Sequence, residues 1–259
     1  MNPVGTSLSA SKSTRADRWT VHTVGEIGST NSAAAQLPAW SALRATTQTA
    51  GRGRTGRPWI SDQGGLWLSA VLPCPGERQQ WSILPLAAGW AVVATLREIG
   101  VPRLHLRWPN DVMAGRGKLA GLLVERYRPD TAVLGIGLNV CNHPELADPV
   151  LAGITARLAD LVPGDHPLDD LTDLILGSIE RAHGHIQSGN FSVIADELNA
   201  RWARPLPVAV TLRGEVSAFT DRFLGVDSLG RIRLARGMGG RKVYEATEIA
   251  LLRELADRV

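Results

Sequence analysis

Ala50-Gly51-Arg52-Gly53-Arg54-Thr55-Gly56-Arg57-Pro58-Trp59-Ile60 is the stretch on which the reading of this chain turns. Three arginines stand among three glycines, and the run stops on Pro-Trp. Glycine, lacking a Cβ, lets a backbone bend sharply and approach a ligand closely. Arginine adds planar cationic forks that match phosphate and carboxylate oxygens. The segment reads as an electropositive strap, loose by itself and drawn down by an anion. It also fits the dinucleotide fingerprint G-x-G-x-x-G, which requires a helix straight after the turn and an acidic residue about twenty positions on. Pro58 biases its neighbour away from helix, Trp59-Ile60-Ser61 has strand character, and the acid at that distance, Glu77, sits in a Pro-Gly turn. These residues argue against a Rossmann fold. An RGG-type RNA-binding tail is disfavoured too, because the motif is short, internal and flanked by apolar alternation.

The chain has 259 residues, 44% hydrophobic and 20% charged, the composition of an ordinary soluble globular protein. It is long enough for one large domain with or without a small one. The formal charge of +3 argues against a globally basic nucleic-acid binder. Of 28 basic residues, Lys12, Lys118 and Lys242 alone are lysine. Lys118, beside Gly117, therefore suggests a site that wants a compact point charge. Cys74 and Cys141 are isolated, which fits a reducing compartment. The six histidines show no metal-ligand spacing. The polar start lacks the apolar core of a signal peptide. The longest apolar stretch, Ile83 to Ala94, falls short of the ~20 residues that span a bilayer. The expectation is a cytoplasmic protein with no membrane partner and a disordered tail over residues 1–20.

Ser29-Thr30-Asn31 offers N-cap residues for a short helix. Leu43 to Gln48 reads as a strand feeding the arginine loop, and Leu66 to Leu72 as another. Ser82 is expected to cap a helix running to Glu98 and closed by Gly100. Strands follow at Leu104–Trp108, Lys118–Tyr127 and Ala132–Val140. Leu168, Leu171, Leu174, Ile175, Ile179, Ala182 and Ile186 trace one helical face, and a shorter helix covers Phe191 to Trp202. From Arg204-Pro205-Leu206-Pro207 onward the character changes to short strands split by turns at Arg213–Glu215, Asp227–Gly230 and Arg236–Gly240, a small barrel appended to an α/β domain. The expected division is 21–203 for a catalytic domain and 204–259 for the appended one.

Four more segments resist an ordinary core reading. Arg107-Trp-Pro-Asn-Asp111 ends a strand with an amide and a carboxylate, although Asn-Asp is also plain turn chemistry. In Gly117-Lys-Leu-Ala-Gly-Leu-Leu-Val-Glu125, Gly121 invites close ligand approach. Gly135-Ile-Gly-Leu-Asn139 carries glycines that weaken an apolar strand unless something sits against its backbone. Gly28-Ser-Thr-Asn31 stands at a helix N-terminus, a natural place for a polar headgroup.

In this order and spacing, the segments from about Val24 to Val140 resemble the biotin–protein ligases, in a short form without the family's N-terminal DNA-binding domain. Lipoate–protein ligases share the fold but lack the arginine–glycine loop with its tryptophan. The resemblance implies an α/β (α+β) fold like that of class II aminoacyl-tRNA synthetases, a mixed sheet flanked by helices, followed by an SH3-like β-barrel. It implies ATP-dependent formation of biotinyl-5′-adenylate with Mg²⁺, then transfer of biotin to a lysine on the biotin carboxyl carrier domain of an acyl-CoA or pyruvate carboxylase. No DNA partner is implied. Ser29, Thr30, Asn31, Gln48, Gly51, Gly121 and Leu123 would meet biotin, with Arg52 and Lys118 bridging its carboxylate and the α-phosphate. Arg54, Arg57, Trp59, Asn110 and Asn139 would contact the nucleotide or its metal. Asp111 would orient or deprotonate the incoming amine, and no protein metal ligand is assigned. A lipoate or octanoate ligase of the same fold and a non-catalytic biotin or adenylate sensor are the alternatives.

Overall fold

A computed structural model describes residues 9–12, 18–151, 153–202, 205–236 and 240–255. Its larger sheet has eight strands: β1 (Ser9–Lys12), β2 (Thr20–Ile27), β3 (Ser41–Gln48), β4 (Leu66–Pro73), β5 (Leu104–Arg107), β6 (Asp111–Ala114), β7 (Gly117–Glu125) and β8 (Thr131–Leu138). They run in the order β1-β2-β3-β4-β8-β7-β6-β5. β2 and β3 are parallel and the other neighbours antiparallel. A parallel pair needs a crossover, and the short helix α1 (Thr30–Ala34) lies within it.

Strand alternation sorts the sheet into two faces. Leu66, Leu68, Ala70 and Leu72 of β4, with Leu134, Ile136 and Leu138 of β8, join the main core, which also takes in Leu158 of the short α4 (Leu158–Leu161) and buried residues of α2 (Leu84–Glu98) and α5 (Leu168–Gln187). Val71 and Val133, one residue out of step, join a smaller cluster with Ala34 and Ala35 at α1. α2 presents Gly89 where a Cβ would stand 2.6 Å from Leu106 Cδ1, so the missing side chain sets how closely helix and sheet approach. On α5, His183 is buried, stacked on Trp81 and edge-on to Trp40. Burial holds its pKa below the ordinary value, with the Pro73 carbonyl contact acting against that.

The second sheet holds β9 (Leu206–Leu212), β10 (Phe219–Val226), β11 (Ile232–Arg236), β12 (Gly240–Tyr244) and β13 (Ile249–Glu254), antiparallel in the order β12-β11-β10-β9-β13. Tryptophans join the two sheets. Trp202, just after α6 (Phe191–Arg201), donates to the Leu106 carbonyl at 2.7 Å and stands edge-on to Phe223. Trp108 donates to Gly230 at 3.0 Å.

Three expectations need correction. The tail over 1–20 is not disordered throughout, because Ser9–Lys12 pairs with β2 and Trp19 is buried; residues 1–8 and 13–17 lie outside the described ones. The long helix is N-capped at Ile83, with Pro85 in its first turn, and Ser82 does not cap it. Asp111–Ala114, read as turn, is a strand between β5 and β7. Residues 203–204, where the appended domain was expected to join, and 237–239 lie outside the described residues.

Candidate active site

A cavity of about 740 Å³ opens over the face of β7 and β8 opposite the main core, a volume suited to a nucleotide-sized ligand. Its walls are the 52–60 loop, Pro144 of the short helix α3 (Pro144–Ala147) with Leu151, Ile154 and Thr155, and the end of β13.

Gly121 and Gly137 face each other directly across the β7–β8 ladder. A Cβ on Gly137 would stand 2.5 Å from Trp59 Nε1, and one on Gly121 would stand 3.0 Å from the same ring. The glycines make room for an indole that lies flat on bare backbone. Lys118 Nζ sits 4.9 Å from that ring's centroid, within cation–π range, and 2.7 Å from Asp111 Oδ1. Arg107 takes the other carboxylate oxygen at 2.7 Å. Burial by itself raises the Asp111 pKa, but Lys118 and Arg107 outweigh it and hold the carboxyl below its ordinary value. Both carboxylate oxygens are thus engaged, one by Lys118 and one by Arg107, and Asp111 holds the lysine in place.

A second polar group closes the other end. Gln48 Oε1 accepts from the Thr30 amide at 2.8 Å and its hydroxyl at 3.0 Å, while Gln48 Nε2 donates to Ser61. Arg52 donates from Nη1 to Ser29 Oγ at 3.0 Å and from Nη2 to Glu125 Oε2 at 2.9 Å. Asn31 is buried and spends its amide nitrogen on Glu125, so its first partner is protein.

The loop is folded back on itself. Its two limbs meet through backbone bonds between Gly51 and Trp59 and between Gly53 and Arg57. A Cβ on Gly51 would lie 2.5 Å from the Trp59 carbonyl, so this glycine serves the close limbs and is absent from the cavity lining. The tip turns through left-handed Thr55 (φ 59°) and Gly56 (φ 73°). Arg54 reaches across to the second sheet, donating to the carbonyls of Ala246 at 2.6 Å and Ile249 at 3.0 Å. Arg57 points to Ala250. Burial lowers the Arg54 pKa, Asp111 opposes that, and Arg213 and Arg57 add to it.

Ser29, Thr30, Asn31, Gln48, Arg52, Arg54, Arg57, Trp59, Asn110, Asp111, Lys118, Gly121, Leu123 and Asn139 all line the cavity. Asn110 and Asn139 are committed to the scaffold at the same time. Asn110 donates to Leu122 at 2.6 Å, and Asn139 donates to Lys118 and accepts from Asn142. Sequence reasoning missed Glu125, Tyr127 and the Ala250–Glu254 wall. Glu125 had a signal, an acid two residues beyond Leu123 on the same strand face. The wall had none, since it comes from across the fold.

The model of the Biotin/lipoate A/B protein ligase family matches residues 29–140, the segment that carries the arginine loop, Lys118 and Asp111. A biotin–[acetyl-CoA-carboxylase] ligase of Mycobacterium tuberculosis is 35% identical over 214 residues, covering 78% of this chain and 74% of that protein. One from Paracoccus denitrificans is 32% identical over 219 residues, with 82% and 89% covered. Among solved structures, the biotin protein ligase of Aquifex aeolicus in complex with biotin and ATP superposes with a TM-score of 0.78 at 26% identity, covering 90% of this chain and 98% of that one. The chain belongs to the biotin–protein ligase family.

Proposed function

We propose that this chain is a ligase that uses ATP to attach biotin to a lysine of a biotin carboxyl carrier domain, in two steps. The biotin carboxylate attacks the α-phosphate of ATP, releasing pyrophosphate and leaving biotinyl-5′-adenylate. The lysine ε-amine of the carrier then attacks the mixed anhydride and expels AMP. The observation that carries the reading is the convergence of Lys118, Arg52 and Arg54 on one cavity whose floor is Trp59.

Two anions must meet in the first step, and cations placed beforehand stabilise the charge that develops. Lys118, steadied by Asp111, and Arg52 fit the biotin carboxylate and α-phosphate. Ser29, Thr30 and Gln48 suit the uncharged ureido ring. Trp59, Leu123 and the folded loop shed water from an anhydride that water destroys. Arg54 and Arg57 suit the nucleotide side. Among the described residues, no cluster of three or more His, Cys, Asp and Glu could hold a metal. Mg²⁺ would arrive on the ATP phosphates, its usual carrier. A cytoplasmic location and the absence of a DNA partner belong to the same reading, the latter supported by a charge of +3. So does a catalytic unit over 21–203 with an accessory sheet over 204–259.

The test is to incubate the protein with biotin, ATP, Mg²⁺ and a carrier domain and to weigh the carrier by mass spectrometry. A gain of one biotinyl group, lost in Lys118→Ala by roughly a hundred-fold or more, supports the reading. Modification by lipoate in place of biotin, or no modification at all, refutes it.

A further inference from the structure

Arg52 is engaged on two sides. Its Nε lies 3.3 Å from Glu125 Oε1 and its Nη2 lies 2.9 Å from Oε2, while Nη1 lies 3.0 Å from Ser29 Oγ. Glu125 has partners besides Arg52. Asn31 Nδ2 reaches Oε2 at 2.8 Å, and the Tyr127 hydroxyl, which also accepts from Arg52 Nη2 at 2.5 Å, reaches it at 3.0 Å. Asn31 is fixed in turn, since Ser69 Oγ donates to its Oδ1 at 2.7 Å. Its amide also fills the space where a Cβ on Gly135 would stand, 2.3 Å from Oδ1. A line of contacts therefore runs from the gap at Gly135 through Asn31 and Glu125 to Arg52.

An arginine between Gly51 and Gly53 has a flexible backbone and a long side chain, and both lose freedom when a ligand must order them. Its guanidinium carries five N–H groups in a fixed fork. With the Nε and Nη2 edge turned onto a carboxylate, Nη1 is the corner left toward Ser29 and the cavity.

We propose that Glu125 is the positioning residue for Arg52. It locks one edge of the guanidinium so that Nη1 is aimed, before any ligand arrives, at the anionic head of the substrate. This rests on the reading above, in which Arg52 meets the biotin carboxylate. Glu125 touches no reacting atom. It acts through Arg52, and Asn31 and Tyr127 keep it in place.

The experiment measures the affinity of biotin, and of a neutral analogue with an alcohol in place of the carboxylate, for wild type, Glu125→Gln, Arg52→Ala and the double variant. Glu125→Gln is expected to weaken biotin by about tenfold or more, the scale of one charge-assisted hydrogen bond. The alcohol should be little affected, and in the Arg52→Ala background the second substitution should add nothing. Equal loss for both ligands, or a further loss in the double variant, would mean that Glu125 merely supports the wall and overturns the proposal. Tighter biotin binding in Glu125→Gln overturns it as well, because the carboxylate would then be a competitor for Arg52. Gly135→Ala gives a second route, reaching Arg52 through Asn31. The same carboxylate-selective loss supports the proposal, and an unselective loss counts against it. A wild type that binds neither ligand would overturn the ligase reading itself, a result visible before any substitution is made.

Discussion

On the side of β7 and β8 turned to the main core, Ala120, Leu122, Leu134, Ile136 and Leu138 are buried together with residues of α2 and α5. On the other side the same two strands carry Gly121, Gly135 and Gly137, and what fills the space comes from elsewhere. Trp59 arrives from the arginine loop and Asn31 from α1. One face is built from its own side chains and the other borrows them. Damage to the first should appear as lost stability, and damage to the second as a misassembled site on a sound scaffold.

The sharpest way to break that contrast is Gly137→Val set beside Ile136→Ala. The valine must evict the Trp59 ring from the floor and strip Lys118 of its aromatic partner. Adenylate formation, followed by pyrophosphate release, should fall about a hundred-fold with the melting temperature near wild type. Ile136→Ala should cost about 2–5 kcal/mol of stability in denaturant titration while the folded fraction keeps its turnover. An active Gly137→Val enzyme would show that the borrowed face is mere packing.

Asp111→Asn comes next. Lys118 loses its charge partner, so both half-reactions should slow by roughly tenfold in single-turnover kinetics. Loss confined to transfer would mean that Asp111 serves the incoming amine instead. The substitution also has a pH signature. The Asp111 pKa is lowered from 3.8, so its stabilisation is fully present above that value and is lost as pH falls through the folded value. The variant should lose less stability than wild type in acid titrations below about pH 4.

A comparable effect is expected from Arg54→Gly, which removes the two bonds to Ala246 and Ile249 and adds backbone freedom. Each change is worth about 1 kcal/mol, so the adenylate should escape about ten times faster or more and biotinylate an unrelated lysine-rich protein. Bystander labelling equal to wild type would show that the loop retains its ligand by other means. The thiols should respond least. Burial pushes the Cys74 pKa up to about 11, whereas Cys141 is exposed. An alkylating reagent should modify Cys141 alone in the native protein, with activity unchanged.

What the sequence made legible follows from periodicity and chemistry. α5 and β4 were readable because apolar residues recur at helical and strand spacing. The cavity residues were readable because glycines and arginines in one loop have no ordinary structural use. β1 was missed because a polar run such as Ser9–Lys12 earns its order from pairing with a neighbour and carries no hydrophobic signature of its own. β6 was missed because Asn110-Asp111 is good turn chemistry, and a four-residue strand shows too little alternation to outweigh it. The partners of the site residues, Glu125 to Arg52 and Ala246 to Arg54, join positions far apart in the chain, which no local pattern encodes.

The acceptors that Arg54 reaches, at Ala246 and Ile249, are main-chain carbonyls. Every residue type has one, so the grip on the loop is blind to which side chains stand there. Alanine scanning of 246–250 would pass over it without a signal. It answers instead to the route of the backbone. Inserting or deleting one residue in that turn, with no charge or apolar group lost, would unhook the strap from the second sheet.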